Sequence, residues 1–433
     1  MKKTGAVLLS ASMLLALVGC GGTPTSTAGS ETAETPQQGK QLNVLAWDAS
    51  QTYKDITQKY IDEFEAEHPG VEVVIQYLPQ GFDEKLMALY AANEAPDIFF
   101  ATSNQYIDYA DRGMLLPLDD LIAGTQEISK DDIIESAKFS YDDKLYGLAV
   151  NIQPQLLFYN KDMFAAANLP EPTDDWTWDD FQQAAAALTQ KDENGKTLVY
   201  GFQCDEYWRY FSSVFWSNGG QYFDDEVKPT QVQFNNEIAL KSMKLLDDMV
   251  TSGSSPMPGV KGALAYREAF ANGKVAMILD GAWMVQTFSG NPALNYGIAL
   301  PPKGDVTHAS NNCGTAWVMS KNDRGNEDLA FDLWLKLNGK EIALELADYG
   351  STQMGGLPCY ESCYEDERWQ PAEVVTSVEK ALDYVYNEPY FSGGFKWCKE
   401  ILDLSMQEMI IADKDYQTVL DDIQAKTESE ILK

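Results

Sequence analysis

The chain has 433 residues and a formal charge of −34, from 32 lysines and arginines against 66 aspartates and glutamates. Phosphate backbones need basic surfaces, so this balance excludes nucleic acid as a partner. With 45% hydrophobic residues the body should fold as a water-soluble globule, and its length suits two domains better than one core.

Lys2 and Lys3 precede an apolar run from Ala6 to Val18, which Gly19 and Cys20 close. A charged start, a short apolar segment and small final residues make an export signal, and the run is too short to span a membrane. Cys20 directly after Leu17-Val18-Gly19 resembles the bacterial lipobox, whose thiol is acylated and becomes the first mature residue. Several acyl chains then hold such a protein on the outer face of the membrane, where one chain alone binds marginally. The alternative is an ordinary secretory signal with a chance cysteine. Residues 1–19 are thus read as leader and 20–40, rich in Gly, Thr, Ser, Pro and Gln, as a flexible tether. Losing Lys2 and Lys3 takes the formal charge to −36, with 30 basic against 66 acidic residues.

Folding starts at Gln41. Leu42 to Trp47 reads as a buried strand. Ile56, Tyr60, Ile61 and Phe64 then recur at helical spacing until His68, a C-cap before Pro69-Gly70. Val71, Val73, Ile75 and Tyr77 share one face of the next strand. Phe82, Leu86 and Leu89 mark a helix, and Asp97 to Phe100 a brief strand. This alternation implies a parallel sheet with helices on both faces, whose ligands bind beyond the carboxyl ends of the strands. Trp47-Asp48 and Thr102-Ser103-Asn104 occupy those ends. Tyr141 to Gly147 reads as a hairpin leading to Asn151, followed by a strand at Leu156–Tyr159 and a helix at Asp162–Asn168. Thr177 with Asp180 forms a variant capping box opening a helix to Leu188. Asp192 to Lys196 is better explained as a hairpin turn than as a calcium loop. Ala239, Met243, Leu246 and Val250 form the core stripe of another helix. Lys274 to Leu279 is a buried strand ending in Asp280-Gly281-Ala282-Trp283, and helical patterns return from Asn326 to Ala347 and through the C-terminus.

Little in the chain suggests catalysis or a metal. With only two histidines, His68 and His308, a Ser-His-Asp, Cys-His or histidine-rich metal site is disfavoured. No cofactor or phosphate-binding motif is present. Cys359 and Cys363, four apart, are either a local disulfide or two free thiols, and no second pair completes a metal set.

Taken in order, several segments resemble the extracellular solute-binding proteins of carbohydrate ABC importers. They are Asp143-Lys144-Leu145-Tyr146-Gly147-Leu148, with Asp143 where the family usually has Gly, then Leu157 to Phe164 around Tyr159-Asn160-Lys161-Asp162, and Trp176-Thr177-Trp178-Asp179-Asp180-Phe181. Asn218-Gly219-Gly220, Gly273 to Met277 with Gly281-Ala282-Trp283, and Leu300-Pro301-Pro302-Lys303-Gly304 complete the series. The resemblance covers nearly the whole mature chain. It implies an α/β, two-lobed periplasmic-binding-protein-like (type II) fold that closes on solute in a cleft between lobes. Lobe one would comprise 41–150 and 301–355, and lobe two 151–300 and the C-terminal helices of 356–433. Crossings would fall near 150–153, 300–304 and 355–358.

Function follows from the same resemblance. It implies a monomeric, non-enzymatic capture subunit that hands a carbohydrate, expected to be an oligosaccharide, to membrane permease subunits, with no cofactor. Trp47, Asp48, Asn104, Asn151, Asp280 and Trp283 fall at or near ligand positions of the family. Trp208, within Tyr207–Tyr210, and Trp397 or its neighbour Phe395 are further expected contacts. These residue types suit a sugar, because a pyranose packs its C–H face on an aromatic ring and bonds its hydroxyl rim to Asp, Asn and Arg. A non-sugar solute (a polyamine, a glycerol phosphate derivative or an iron chelate) and a surface glycoside hydrolase remain the alternatives. Anionic solutes fit less well, since the sequence shows no evident arginine cluster.

Overall fold

The computed structural model describes residues 40–432 except 104, 261–263, 313, 348–355, 370–372 and 388–390. The leader, Cys20, most of the tether, Asn104 and Cys313 lie outside the described residues.

Thirteen strands are described: β1 (Lys40–Trp47), β2 (Val71–Leu78), β3 (Ile98–Thr102), β4 (Lys138–Tyr141), β5 (Lys144–Asn151), β6 (Gln155–Asn160), β7 (Gln190–Lys191), β8 (Thr197–Phe202), β9 (Val275–Gly281), β10 (Tyr296–Ala299), β11 (Ser310–Asn312), β12 (Thr315–Met319) and β13 (Val385–Asn387). Lobe one is built on the sheet β2-β1-β3-β12-β5-β4 and lobe two on β10-β6-β9-β8-β7. The expected parallel alternation holds for β1, β2 and β3, joined by the helices Gln51–Glu67 and Phe82–Ala91. The other half of the sheet is antiparallel. β12 returns from lobe two and enters between β3 and β5, running against both.

Local chemistry explains the elements. In the first helix Tyr53, Ile56, Tyr60, Ile61 and Phe64 are buried, and His68 caps its end. The alternation in β2 places Val71, Val73, Ile75 and Tyr77 half-buried, with exposed residues between them until the strand's end. The capping box of Thr177 and Asp180 forms reciprocally at the helix Trp178–Leu188. At the β4–β5 turn Asp142 and Asp143 take φ of 53° and 60°, the left-handed region that glycine would occupy at least cost. Short aspartates tolerate it, so the departure from the family pattern leaves the hairpin intact.

β6 shows how lobe two fills both faces of its sheet. Leu156 and Phe158 join one hydrophobic cluster, continuous with lobe one, while Leu157 and Tyr159 join another beneath the C-terminal helices. A run buried on both sides is the mark of a central strand.

The second crossing falls near Asn312 and not at 300–304: the Lys303 N–H donates to the Trp176 carbonyl at 2.7 Å and the Val306 N–H to the Ser217 carbonyl at 3.1 Å, which keeps that stretch on lobe two. The crossings lie side by side. Ile152 and Leu357 exchange two backbone hydrogen bonds of 2.9 Å, and Pro154 bridges Asn312. Beyond them the chain stays with lobe one longer than expected. Cys359, Tyr360 and Cys363 are buried, the Ile134 N–H donates to the Cys359 carbonyl at 3.0 Å, and Ser362 donates to Asp132 from both its backbone N–H (2.9 Å) and its hydroxyl (2.7 Å). Residues 356–369 therefore pack on lobe one, not lobe two. The helix Glu373–Ala381 is the first element afterwards to pack on β6 and β10. Cys204, Cys359 and Cys363 are free thiols, all buried, which resolves the Cys359–Cys363 alternatives in favour of thiols.

Candidate functional site

A cavity of about 620 Å³ opens between the lobes, over the crossings. That size falls in the range of about 300–1,000 Å³ typical of small-molecule sites. Lobe one contributes the end of β1, with Trp47 and Asp48, then Ser50 and Tyr53, and the end of β3. Lobe two contributes Glu206, Arg209, Arg267 and Trp283. Asn151, Gln153 and Thr315 line the floor.

Each wall has a built support. Trp47 is half-buried, its ring 5.0 Å from Phe82 and 5.1 Å from Phe100, which in turn stacks on Trp317 at 3.8 Å. Asp48 pairs with Lys54, whose ammonium holds its carboxyl below the usual carboxylate range. Across the cleft, Trp283 folds back over the backbone of Gly281, where an added Cβ would meet its ring at 1.9 Å. Only glycine permits this approach. The Arg267 guanidinium lies 5.8 Å from the Trp283 ring centroid.

Arg267 is fixed from behind. Asp280, 3% exposed, accepts from its Nε at 2.5 Å and its Nη2 at 2.9 Å, and also from the Gly281 N–H at 2.8 Å. Burial alone would make Arg267 easier to deprotonate, but the hydrogen bonds and charge of Asp280 more than offset this and raise its pKa. Glu206 pairs with Arg209 at 3.1 Å and with Lys399. Burial would raise the Glu206 pKa, yet these two cations hold it below the ordinary range. The cavity thus brings together Arg209 and Arg267, 58 residues apart and so invisible as a cluster in the sequence, and matches each with a carboxylate. Its charges are compensated internally.

The expected site residues divide. Trp47, Asp48, Asn151 and Trp283 line one cavity. Asn151 is buried, and its Nδ2 has no hydrogen-bond partner among the described residues. Asp280 does not line this cavity; it acts on it through Arg267. Trp208 is fully buried, with Arg209 at 4.8 Å and Lys399 at 5.8 Å from its ring, so the expected contact passes to its neighbour Arg209. Trp397 is also fully buried; its indole N–H donates to Thr427 Oγ1 at 2.8 Å inside an aromatic cluster with Tyr222, Phe223 and Phe234. Its alternative, Phe395, does not line the cavity either. Arg267, Ser50, Tyr53 and Thr315 went unnoticed in the sequence. Ser50 could have been marked as the N-cap of the first helix, where its hydroxyl accepts the Tyr53 N–H at 3.3 Å, and Arg267 by its pairing with Asp280 across 13 residues; Tyr53 and Thr315 carry no such signal.

The family of bacterial extracellular solute-binding proteins matches residues 59–376. The chain belongs to this family. It is 28% identical over 342 residues to the galactooligosaccharide-binding protein of Bacillus subtilis, covering 77% of this chain and 75% of that one. The structure of an ABC substrate-binding protein from Listeria monocytogenes in complex with cycloalternan matches with a TM-score of 0.78 at 22% identity, covering 91% of this chain and all of that one. A Mycobacterium tuberculosis protein in complex with glycerophosphocholine matches with a TM-score of 0.76 at 16% identity, covering 89% and 97%. At such identities the two structures speak for the two-lobed fold, which accommodates both kinds of ligand. The choice of solute rests on the cavity's own residues. Among the described residues no helix is long and apolar enough to cross a membrane.

Proposed function

We propose that this solute-binding protein captures an oligosaccharide between its lobes and delivers it to the permease of an ABC importer, held on the outer face of the membrane through acylated Cys20. The observation that carries the sugar reading is the pair of half-buried indoles, Trp47 from lobe one and Trp283 from lobe two, on one cavity whose floor offers the unpartnered Asn151 amide. Indoles suit the C–H faces of pyranose rings, and the amide and guanidinium donors suit their hydroxyl rims. A neutral polyol also fits the internally compensated charges better than a polyamine or a phosphate does. Trp47, Asp48, Asn151, Arg209, Arg267 and Trp283 are the proposed contacts.

Hydrolysis is disfavoured by the cavity's chemistry. A glycosidase needs one carboxyl with a raised pKa as general acid. Asp48 and Glu206, the acidic residues lining the cavity among those described, are both held ionised by cations.

Thermal unfolding against a panel of galacto-, arabino- and maltooligosaccharides, with glycerophosphocholine and spermidine as non-sugars, tests the reading. Any solute that binds only the folded protein must raise the midpoint. A rise with one sugar class supports the assignment, whereas a rise with a non-sugar alone overturns it.

A further inference from the structure

Away from the cavity, the lobes meet through polar groups that the proposed solute contacts do not use. Asp108 stands on the short helix Tyr106–Asp111, whose Tyr106, Ile107, Tyr109 and Ala110 are anchored in the lobe-one cluster. Its Oδ1 accepts the Gly393 N–H at 2.7 Å and the Ser392 hydroxyl at 3.0 Å. Phe391 and Trp397, on either side of this turn, are buried in the lobe-two cluster. Gly393 has φ of 87°, so a backbone that favours glycine presents these donors to the opposite lobe.

We propose that Asp108 with Ser392 and Gly393 is a closure latch, a positioning contact that holds the lobes together and thereby sets how fast solute leaves. A carboxylate accepting two hydrogen bonds makes charge-assisted bonds, stronger than neutral ones. The latch is also mechanically linked to the cavity. Thr102, on the cavity wall, donates its hydroxyl to Gln105 Oε1 at 2.8 Å, and Gln105 caps the helix that carries Asp108. A solute resting on the end of β3 therefore steadies the element that reaches across. A second pair, Lys228 with Asp142, also spans the lobes, but both side chains are about 60% exposed. Exposed pairs contribute little; in the latch Ser392 is exposed too, whereas Asp108 and Gly393 are half-buried, so the bond from the Gly393 N–H carries most of the contact.

The two-lobed fold supplies the geometry for this latch, and only the kinetic arm of its test depends on the sugar reading. The body from Gly39 onward is one compact unit and serves as the test protein. Small-angle scattering without solute and stopped-flow binding of galactotriose, arabinotriose and maltotriose would compare wild type, Asp108→Ala, Asp108→Asn and Ser392→Ala. The latch predicts a larger radius of gyration for Asp108→Ala, dissociation faster by about tenfold with association within about twofold, and partial rescue by Asn, which keeps an acceptor oxygen. Ser392→Ala should show a smaller change of the same sign. Unchanged scattering with unchanged dissociation overturns the latch, as does a lowered unfolding midpoint of the solute-free variant with dissociation unaltered. If no sugar binds even the wild type, the sugar reading fails while scattering still decides the latch.

Discussion

Replacing Trp283 by alanine isolates the stacking surface on lobe two. The indole is half-buried and rests on Gly281, so its loss leaves no sealed void in a core. One indole face covers roughly 60 Å² of sugar, and at about 25 cal/mol per Å² its removal weakens binding by about 1.5 kcal/mol, or roughly tenfold. Arg267 would also lose its aromatic neighbour, but the two hydrogen bonds to Asp280 should keep it in place. Calorimetric titration with the sugar that gives the largest thermal shift should show the loss. The solute-free unfolding midpoint should move by less than about 4 °C, as expected for a change below about 1 kcal/mol. A dissociation constant within twofold of wild type would refute the stacking role, and a collapse of the midpoint would show that the indole belongs to the core.

Asp280→Asn keeps the shape but removes the charge that fixes Arg267; urea unfolding should lose about 2–3 kcal/mol and solute affinity should fall with it, and an unaltered protein in both assays would contradict the positioning role. Trp397→Phe should leave the dissociation constant within twofold, because the indole is enclosed in lobe two, while denaturant unfolding registers a loss of about 1–3 kcal/mol. Glu226 supplies a pH test. Burial, with the nearby Asp225, raises its pKa from 4.5 to about 7, and its Oε2 has no hydrogen-bond partner among the described residues. A carboxyl raised on folding contributes stability below its unfolded pKa and loses it as pH climbs through the folded value. Glu226→Gln should therefore stabilise the protein at pH 8, by about 1–3 kcal/mol, and change little at pH 4. Equal effects at both pH values would be inconsistent with that burial.

Local patterns carried much of the fold into view. The alternation in β2, the capping box at Thr177 and the apolar stripe from Ala239 to Val250 each need only neighbours in sequence, and each is present. The direction of β12 does not follow from its own residues, since the same alternation serves a parallel or an antiparallel neighbour. At the site, Trp47 and Trp283 were legible because Trp47 ends the strand β1 and Trp283 lies two residues beyond the buried strand β9. Trp208 was not, because the helix Tyr207–Ser217 is buried on nearly every side, its serines included, so its sequence does not mark which side faces the cleft. Trp397 opens a π-helical stretch, Trp397–Asp403, in which the wider turn shifts side chains off the ordinary helical register. The arginines could not be seen as a pair because folding alone brings positions 209 and 267 to one wall.

The central claim is that a sugar ring occupies the cleft against tryptophans from both lobes. A crystal structure of the body soaked with the sugar that gives the largest thermal shift tests it directly. The account predicts density for a ring stacked on Trp283 or Trp47, with a hydroxyl within hydrogen-bond reach of Asn151 Nδ2. Sugar bound only outside the cleft, or a cleft whose indoles touch no ring, would contradict it.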